Sequence, residues 1–533
     1  MEFNLGNLDL SIIVIYLIGV ILLGFYFSSK HEDAEDYFLA GRNLTWPIIG
    51  FSLFASNMSS NSLVGLAGAG YADGFSVYSY EWMAVFVLIL FAVFFLPFYL
   101  KNKIFTIPEY LEKRYSYTVR AYASSIAIIL NILVDIAATL YAGGLVINLI
   151  FPGFMLWQII VGLAIIAGIY TIAGGLSAVM YTDAVQAVIL ILGSTLVTVF
   201  AFNAAGGWEP VQAAFDNPDH FKIMKPIDDE KMPWPSVFTG VLLIGFYFWG
   251  TNQYITQRTL ASKNIRQGQW GAIFAGFLKL SILFIMIFPG AFAKVLYPEM
   301  ENLDMIYPTM LFDLLPTGLL GIVLAGLIAA MMSSLDSGLN SVSTLITMDF
   351  VNKFKPNLSS KKLMKIGRYI TAIVMLIAIF WAPQIGNFEK LWDYLQQTLG
   401  WFCPPIVALF VMGLFTKHSN DNGAKAGILI GGGLTLAIIL FAVLSPGYKF
   451  NSVYLDNFLY VAFWHFIITC VVIYLGSFTG VNKPAAALAK VVWTRDEFNR
   501  ETIELKQLSW YKNYRIQALL LIVLVVLIMI IYS

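Results

Sequence analysis

Stretches of about 20 or more apolar residues follow one another along the whole chain and are separated by shorter polar segments. A helix of about 20 apolar residues crosses the roughly 30 Å hydrocarbon core of a bilayer. The pattern therefore predicts an all-α membrane protein, in which residues 1–533 form a single transmembrane domain of about 14 helices. The predicted spans are residues 9–27, 46–70, 77–100, 119–150, 154–174, 177–203, 234–255, 266–298, 317–352, 362–382, 387–414, 421–444, 454–479 and 512–532.

The composition supports this class and excludes others. Hydrophobic residues make up 59% of the chain and charged residues only 12%, against about 25% charged residues in soluble domains. The 32 basic residues balance the 32 acidic ones, so no nucleic-acid partner is indicated. Both cysteines, Cys403 and Cys470, lie in apolar stretches, which predicts neither a disulfide framework nor a CxxC metal site. We expect a lipid bilayer around the protein, no obligate protein partner and no enzymatic step.

Lysine and arginine concentrate in alternate loops. The odd-numbered loops hold 25 of them, including Arg258, Lys263 and Arg266 in one loop, and the even-numbered loops hold 5. Because basic loops remain cytoplasmic, we expect both termini on the outer side of the plasma (inner) membrane.

The second span carries six polar residues at its middle, where a lipid-facing helix would be apolar. Serine and asparagine compete for backbone hydrogen bonds and loosen a helix, and irregular backbone at membrane depth persists only when it is buried or lines a cavity. The polar cluster therefore predicts a broken helix at a substrate or ion site, whereas the glycines that follow it are typical of helix packing. The polar residues are Ser56, Asn57, Ser59, Ser60, Asn61 and Ser62, and the glycines are Gly65, Gly68 and Gly70.

The span 234–255 is the expected partner of this broken helix. Glycines interrupt it, and Trp249, Thr251, Asn252 and Gln253 follow near its end. Alternating-access carriers commonly build a midplane site from two discontinuous helices in corresponding positions of inverted repeats. This symmetry is inferred from position, because no repeat is visible at the residue level.

Ionisable side chains inside spans cost about 2.5 to 3.5 kcal/mol each on insertion scales, so each one is a functional hypothesis. Glu81, Lys279, Asp183 and Asp336 fall inside predicted spans, and the neutral Gln396 joins them. Lys279 and Glu81 could instead neutralise one another as a structural pair or snorkel. Either aspartate could instead be protonated and bonded to a carbonyl group.

The ninth span presents a polar face. Its small and polar residues recur at steps of three and four, which places them on one side of a helix. Hard oxygen ligands without histidine or cysteine suit a hard cation such as sodium, and depth counting places Asp183 on the same inner side. The residues of this face are Ala330, Ser333, Ser334, Asp336, Ser337, Asn340, Ser341 and Thr344.

Five short motifs resemble the sodium:solute symporter family, in its sodium/sugar branch. The resemblance implies a LeuT-type five-plus-five inverted repeat at about 46–414, with an extra helix at about 9–27 and three more within 421–532. It also implies sodium-driven uptake of a small polar solute. The motifs are Glu35–Arg42 (EDYFLAGR), Ala55–Met58 (ASNM), Gly174–Asp183 (GGLSAVMYTD), Gln257–Leu260 (QRTL) and Ser333–Ser337 (SSLDS).

The same resemblance implies where sodium binds. By position, its ligands would be the carbonyl groups of Ala55, Met58 and Ala330 and the hydroxyls of Ser333 and Ser334. Some family members hold a second sodium nearer the cytoplasm. Its matching positions are Asp183, Ser333, Asp336 and Ser337, where the carboxylate at 336 departs from the family's usual Thr, Ser or Ala.

The resemblance also implies a sugar site and its gates. The sugar-binding positions would be Asn57, Ser62, Glu81, Lys279, Gln396 and Trp249, and the gating positions Leu66, Tyr80, Phe248 and Trp392. The pattern departs from sugar carriers at Phe248, where a Tyr is usual, and at Ser62, where Gln or His is expected. Gly245 and Ala84 replace polar residues of a galactose carrier, so galactose specificity is not implied.

Other solutes and other classes stay open at this point. Myo-inositol, an amino sugar or another organic solute would fit the same carrier. A solute-binding membrane sensor is an alternative class. An intramembrane aspartyl protease would use paired carboxylates, but no GxGD sequence surrounds Asp183 or Asp336.

Overall fold

The computed structural model describes residues 5–28, 34–151, 153–215, 217–388, 390–445 and 447–533. These residues form helices joined by turns, with no β-strand among them. The main helices are α1 (Asn7–Ser28), α2 (Trp46–Asn57), α3 (Ser60–Asp73), α4 (Ser79–Leu90), α5 (Tyr117–Leu130), α6 (Ala137–Ile150), α7 (Leu156–Ala204), α8 (Leu242–Phe246), α9 (Gln253–Leu260), α10 (Ile265–Lys279), α11 (Phe288–Leu296), α12 (Leu319–Thr344), α13 (Ser360–Trp381), α14 (Leu391–Phe415), α15 (Asp421–Leu444), α16 (Phe458–Gly476) and α17 (Tyr514–Ile531).

Shorter elements connect or extend these helices. Several long helices contain π-helical turns, a form that is frequent at functional sites. The π segments are Phe91–Phe95, Asn131–Ile136, Val237–Val241, Tyr247–Thr251, Leu283–Ile287 and Leu345–Val351, and the longer connecting helices are Ala34–Leu39, Leu96–Lys101, Ile107–Arg114, Trp208–Ala213, Ile306–Leu314 and Arg495–Lys506. Within the described residues, ten runs of helix are long and apolar enough to cross a membrane.

The structure differs from the sequence prediction at the fifth and sixth spans. These were predicted as 154–174 and 177–203, but α7 runs through both as one helix of 49 residues. The residues between 169 and 180 include no proline and no charged side chain, so nothing in the sequence forces the helix to end there. At 1.5 Å per residue, α7 would be about 74 Å long if straight, which exceeds one crossing of the bilayer.

Two predicted breaks are confirmed. The second span divides into α2 and α3 at Met58 and Ser59, and the span at 234–255 divides into a π-helical part and α9 at Asn252. Asn252 has extended backbone, and its side chain accepts a hydrogen bond from the Tyr254 N–H, which caps α9.

Helix α12 lies at the centre of the protein. Every residue from Val323 to Thr344 is buried, as the polar face of the ninth span predicted. Helices α2 and α7 pack against α12. By contrast, α15 and α17 leave many apolar side chains exposed, which suits helices in contact with lipid.

Candidate functional site

The break between α2 and α3 leaves carbonyl groups without backbone partners. The Met58 N–H still donates to the Phe54 carbonyl at 2.8 Å, but Ser59 has extended backbone and does not continue the helix. Among the described residues, neither the Ala55 nor the Met58 carbonyl accepts a backbone hydrogen bond. Buried carbonyl groups of this kind are strong acceptors in need of a partner.

Tyr254 connects this break to the serine face of α12. Its hydroxyl donates to the Ser56 carbonyl at 2.8 Å and also lies near Ser334. The buried Ser334 hydroxyl makes no hydrogen bond of standard geometry within the described part of the chain. The third carbonyl of the predicted sodium site belongs to Ala330, which is fully buried one turn earlier on α12.

These groups fit a sodium ion. Two backbone carbonyls without partners and a buried, unsatisfied hydroxyl offer oxygen ligands only. Unwound backbone carbonyls coordinate sodium in transporters with broken helices. The Tyr254 hydroxyl thus connects the break that contains Ala55 and Met58 with the surroundings of Ser334. The Ser333 hydroxyl donates instead to the Asp183 carboxylate.

A buried ionic network surrounds Asp183. Its carboxylate accepts hydrogen bonds from Ser52 and Ser333, and the Arg258 guanidinium lies 3.3 Å away. Arg258 also donates to the Ser52 hydroxyl at 2.9 Å and to the Ser337 hydroxyl at 2.5 Å. The network connects α2, α7, α9 and α12.

Arg258 changes the interpretation of the predicted second sodium site. The sequence analysis placed it in a basic loop, but its side chain is 1% exposed and lies between Asp183 and Ser337. A guanidinium there competes with a cation for both ligands. Asp336, the remaining member of that predicted site, lies near Tyr37, which interacts with Arg368.

The predicted sugar-binding residues meet on the other side of the break. The Lys279 ammonium group contacts both the Glu81 carboxylate and the Asn57 side-chain oxygen, and it lies 4.9 Å from the centre of the Trp249 ring. Lys279 is thus held by a carboxylate, an amide and an aromatic face, all inside the protein. The structural pair that the sequence left open is present and includes Asn57.

Asn57, Glu81 and Trp249 line a cavity of about 70 Å³, and Lys279 contacts the first two side chains without being a lining residue. The Ser62 hydroxyl donates to the Asn57 carbonyl at its edge, and the Gln396 side-chain oxygen and the Trp392 indole nitrogen are buried with no hydrogen-bond partner in the described residues. At about 30 Å³ for a water molecule, the volume matches about two waters. The space beside these polar groups is therefore small, and the cavity must expand to admit a larger solute.

Three of the four predicted gating residues line this cavity. Tyr80 and Trp392 also line a second, larger cavity of about 950 Å³, and their rings meet edge to face with centroids 5.5 Å apart. The two rings therefore separate the small cavity from the large one, which we call the vestibule. Phe248 lines the small cavity on another side, beside Trp249, whereas Leu66 is fully buried and not among the lining residues.

Sequence reasoning missed three residues of the site. Arg258 was assigned to a loop, and Tyr254 lies in a stretch of mixed polarity that carries no strong pattern. Asp135 was overlooked, although an ionisable residue inside the predicted span 119–150 is a signal of the kind used for Glu81. In the structure Asp135 lines the small cavity.

Comparisons with known proteins agree with this architecture. The family model of the sodium:solute symporter family matches residues 37–431. The chain is 34% identical to sodium/glucose cotransporter 1 of Ovis aries, over 93% of this chain and 82% of that protein. It is 35% identical to sodium/myo-inositol cotransporter 2 of Homo sapiens, over 82% of this chain and 71% of that protein.

A solved structure shares the fold. A sodium-coupled sialic acid symporter, in a substrate-bound outward-open state, superposes with a TM-score of 0.74 over 90% of this chain and 99% of that one, at 22% identity. This likeness supports the predicted LeuT-type arrangement of helices. With the family match over most of its length, the chain belongs to the sodium:solute symporter family, whose members are multi-pass membrane proteins that couple solute transport to sodium.

Proposed function

We propose that this protein imports a sugar or polyol together with sodium by alternating access. One observation carries the proposal: residues of both predicted sites lie at the break between α2 and α3. The Ala55 and Met58 carbonyl groups accept no backbone hydrogen bond within the described residues, and Asn57 between them contacts Lys279. The Tyr254 hydroxyl, which donates to the Ser56 carbonyl, lies near Ser334. A solute and an ion bound at one break are coupled through the backbone that they share.

The coupling works through differential binding. A sodium ion between the break and Ser334 would fix the end of α2 against α12, and this fixes Asn57 in its position beside Lys279. Because a ligand shifts a conformational equilibrium only by its differential affinity for the two states, the ion must bind more weakly once the break and α12 separate. Release of sodium then loosens the solute site.

The sodium gradient supplies enough free energy for accumulation. Moving one charge through 100 mV yields about 2.3 kcal/mol, and a tenfold sodium gradient adds about 1.4 kcal/mol. One ion per solute can therefore support an accumulation of several hundredfold. We propose a ratio of one, because Arg258 contacts Asp183 and Ser337, two of the ligands predicted for a second ion.

The sugar or polyol class rests on chemistry and on the relatives. Hydroxyl groups donate and accept at once, and the cavity offers a carboxylate at Glu81 and amide groups at Asn57 and Gln396. The Lys279 ammonium group contacts Glu81 and Asn57 beside the cavity. The two relatives named above carry glucose and myo-inositol in their names, and the second makes a cyclic polyol the main alternative to a sugar.

The remaining features of the proposal follow from the sequence. We place the protein in the plasma (inner) membrane with both termini outside, as one transmembrane domain whose repeat core lies at about 46–414, without an obligate protein partner and without an enzymatic step. In this orientation Tyr80 and Trp392 close the outer side, beneath the vestibule.

The test is uptake by the purified protein in liposomes. An imposed sodium gradient should drive accumulation of a labelled sugar or polyol, and a competition panel of hexoses, pentoses and inositols should identify the best one. Binding without accumulation would indicate a sensor and would contradict the proposal. Reversal potentials measured at several sodium gradients give the ion-to-solute ratio, and a value near two would contradict the assignment of one ion.

A further inference from the structure

Asp135 is a buried carboxylate on the wall of the small cavity. It lies in the π-helical segment Asn131–Ile136 between α5 and α6, and its side chain is 7% exposed. The Asn252 side-chain amide donates a hydrogen bond to the Asp135 carboxylate, and this bond is long, at 3.5 Å. A carboxylate at this depth needs a strong partner, because burying an ionised group is costly unless it is paired.

The nearby cation is already engaged. The Lys279 ammonium group contacts Glu81 and Asn57, so its charge is balanced by the Glu81 carboxylate. Among the residues that the structure describes, no Lys, Arg or His nitrogen lies within 4 Å of the Asp135 carboxylate. Arg258 is held by Asp183, Ser52 and Ser337.

One carboxylate at the cavity therefore has no positively charged side chain to balance it. Glu81 and Asp135 line the cavity and contribute −1 each. Lys279 is not a lining residue but contacts Glu81 and contributes +1, so the sum is −1 with all three groups ionised. The rest of the lining is neutral and includes the side chains of Asn57, Gln396 and Trp392. A cavity with this lining complements a solute that carries one positive charge beside groups that donate and accept hydrogen bonds.

We infer that Asp135 selects a solute with a protonated amine beside its hydroxyl groups, such as an amino sugar or an amino polyol. The inference rests on the proposed function and narrows its substrate class. The ammonium group would form a charge-assisted hydrogen bond with Asp135, while the hydroxyls meet Lys279, Glu81 and Gln396. The Asn252 amide, at the break before α9, lies beside this carboxylate.

The experiment compares matched solutes in liposomes that contain the full chain. Glucose, amino sugars with the amine at carbon 2, 3 or 6, their N-acetylated forms and glucamine compete against the best labelled substrate under one sodium gradient. We expect at least one amine to compete at a concentration tenfold or more below both its neutral hydroxyl parent and its N-acetylated form, since acetylation removes the charge and keeps the ring.

Variants of Asp135 locate the effect. Asp135→Asn should reduce the ratio of the apparent affinity for the amine to that for its N-acetylated form by tenfold or more. Asp135→Glu keeps the charge and should retain the preference. Asp313→Asn, which removes an exposed carboxylate far along the chain from the cavity, is the matched control and should leave this ratio unchanged.

The possible outcomes distinguish a failure of this inference from a failure of the proposed function. Sodium-driven uptake of neutral sugars with no preferred amine overturns the role of Asp135 and leaves symport intact. A loss of sodium affinity in Asp135→Asn without a change in solute preference also overturns it, because the carboxylate would then balance the ion. No sodium-driven uptake of any solute contradicts the proposed function itself. If Asp135→Asn fails to fold, the panel on the unmodified protein and Asp135→Glu still decide.

Discussion

The Arg258 guanidinium lies 3.3 Å from the Asp183 carboxylate in the interior of the protein. Arg258 belongs to α9, after the second break, and Asp183 to the middle of α7, so the ion pair joins elements that are 75 residues apart in sequence. Ser52 of α2 contacts both side chains. The network thus ties both broken helices to the elements around them.

Removing one partner of this pair should be far more costly than removing both. Arg258→Gln leaves the Asp183 carboxylate buried without its counter-ion, and we expect the free energy of unfolding in detergent to fall by about 3 to 5 kcal/mol. Combining it with Asp183→Asn should cost clearly less than the sum of the two single changes. Lys101→Gln, which breaks an exposed pair with Glu497, should cost less than about 1 kcal/mol. Additive losses in the double variant would contradict the pairing.

The Ser334 hydroxyl is the sharpest probe of the proposed sodium site. Ser334→Ala removes one oxygen ligand, and we expect the apparent sodium affinity for uptake to weaken at least tenfold, while solute affinity at saturating sodium stays within about threefold. Ser343→Ala removes a hydroxyl from the same helix that donates to the Gly367 carbonyl, and it should leave the sodium dependence unchanged. Equal sodium dependence of Ser334→Ala and the unmodified protein would refute the assignment.

Lys279 and Glu81 could hold the fold, the solute or both, and a paired substitution separates these roles. Lys279→Met alone leaves Glu81 uncompensated and should lower the thermal unfolding midpoint by several degrees. Adding Glu81→Gln should recover most of that midpoint, because no unpaired charge stays buried. Solute uptake should remain at least tenfold below normal in the double variant, since the hydroxyl-binding charges are gone. Recovery of both stability and uptake would show that the pair is purely structural.

The sequence predicted the features that arise from polar residues inside apolar spans, because such residues are costly in contact with lipid. Six polar residues at the middle of one apolar span predicted the break at Met58, and the serine face of the ninth span predicted a buried helix. Both rest on the cost of polar groups in hydrocarbon, which needs no knowledge of the neighbours. The roles of the individual site residues stay predictions.

What the sequence could not predict depends on contacts between distant segments. The residues next to Arg258 in the sequence resemble those around an arginine in a loop. Only the approach of α7 and α12 makes Arg258 a buried counter-ion. The continuous helix α7 was missed for the opposite reason, because a long apolar run fits one helix or two equally well. The position of Tyr80 and Trp392 between the small cavity and the vestibule depends on the conformation and has no signature in the residue pattern.

Asp304 offers a test of the outer face that does not require transport. It lies in the connection before the helix Ile306–Leu314, is 3% exposed, and its carboxylate accepts from the Leu391 N–H at the start of α14, at 3.1 and 3.2 Å. Burial raises the pKa of Asp304 from 3.8 to about 6, against the opposing effect of the Leu391 hydrogen bond.

This raised pKa sets the sign of a pH effect. The folded protein keeps the Asp304 proton to higher pH than the unfolded chain, so the proton's contribution to stability is fully present below pH 3.8 and is lost as the pH rises to about 6. Asp304→Asn, which keeps an acceptor for Leu391 and cannot ionise, should not show this loss. The stability of the unmodified protein minus that of Asp304→Asn should therefore fall between pH 4 and 6.5, by up to about 3 kcal/mol. Unfolding measured in detergent across this range checks it, and a difference independent of pH would show that Asp304 titrates alike in both states.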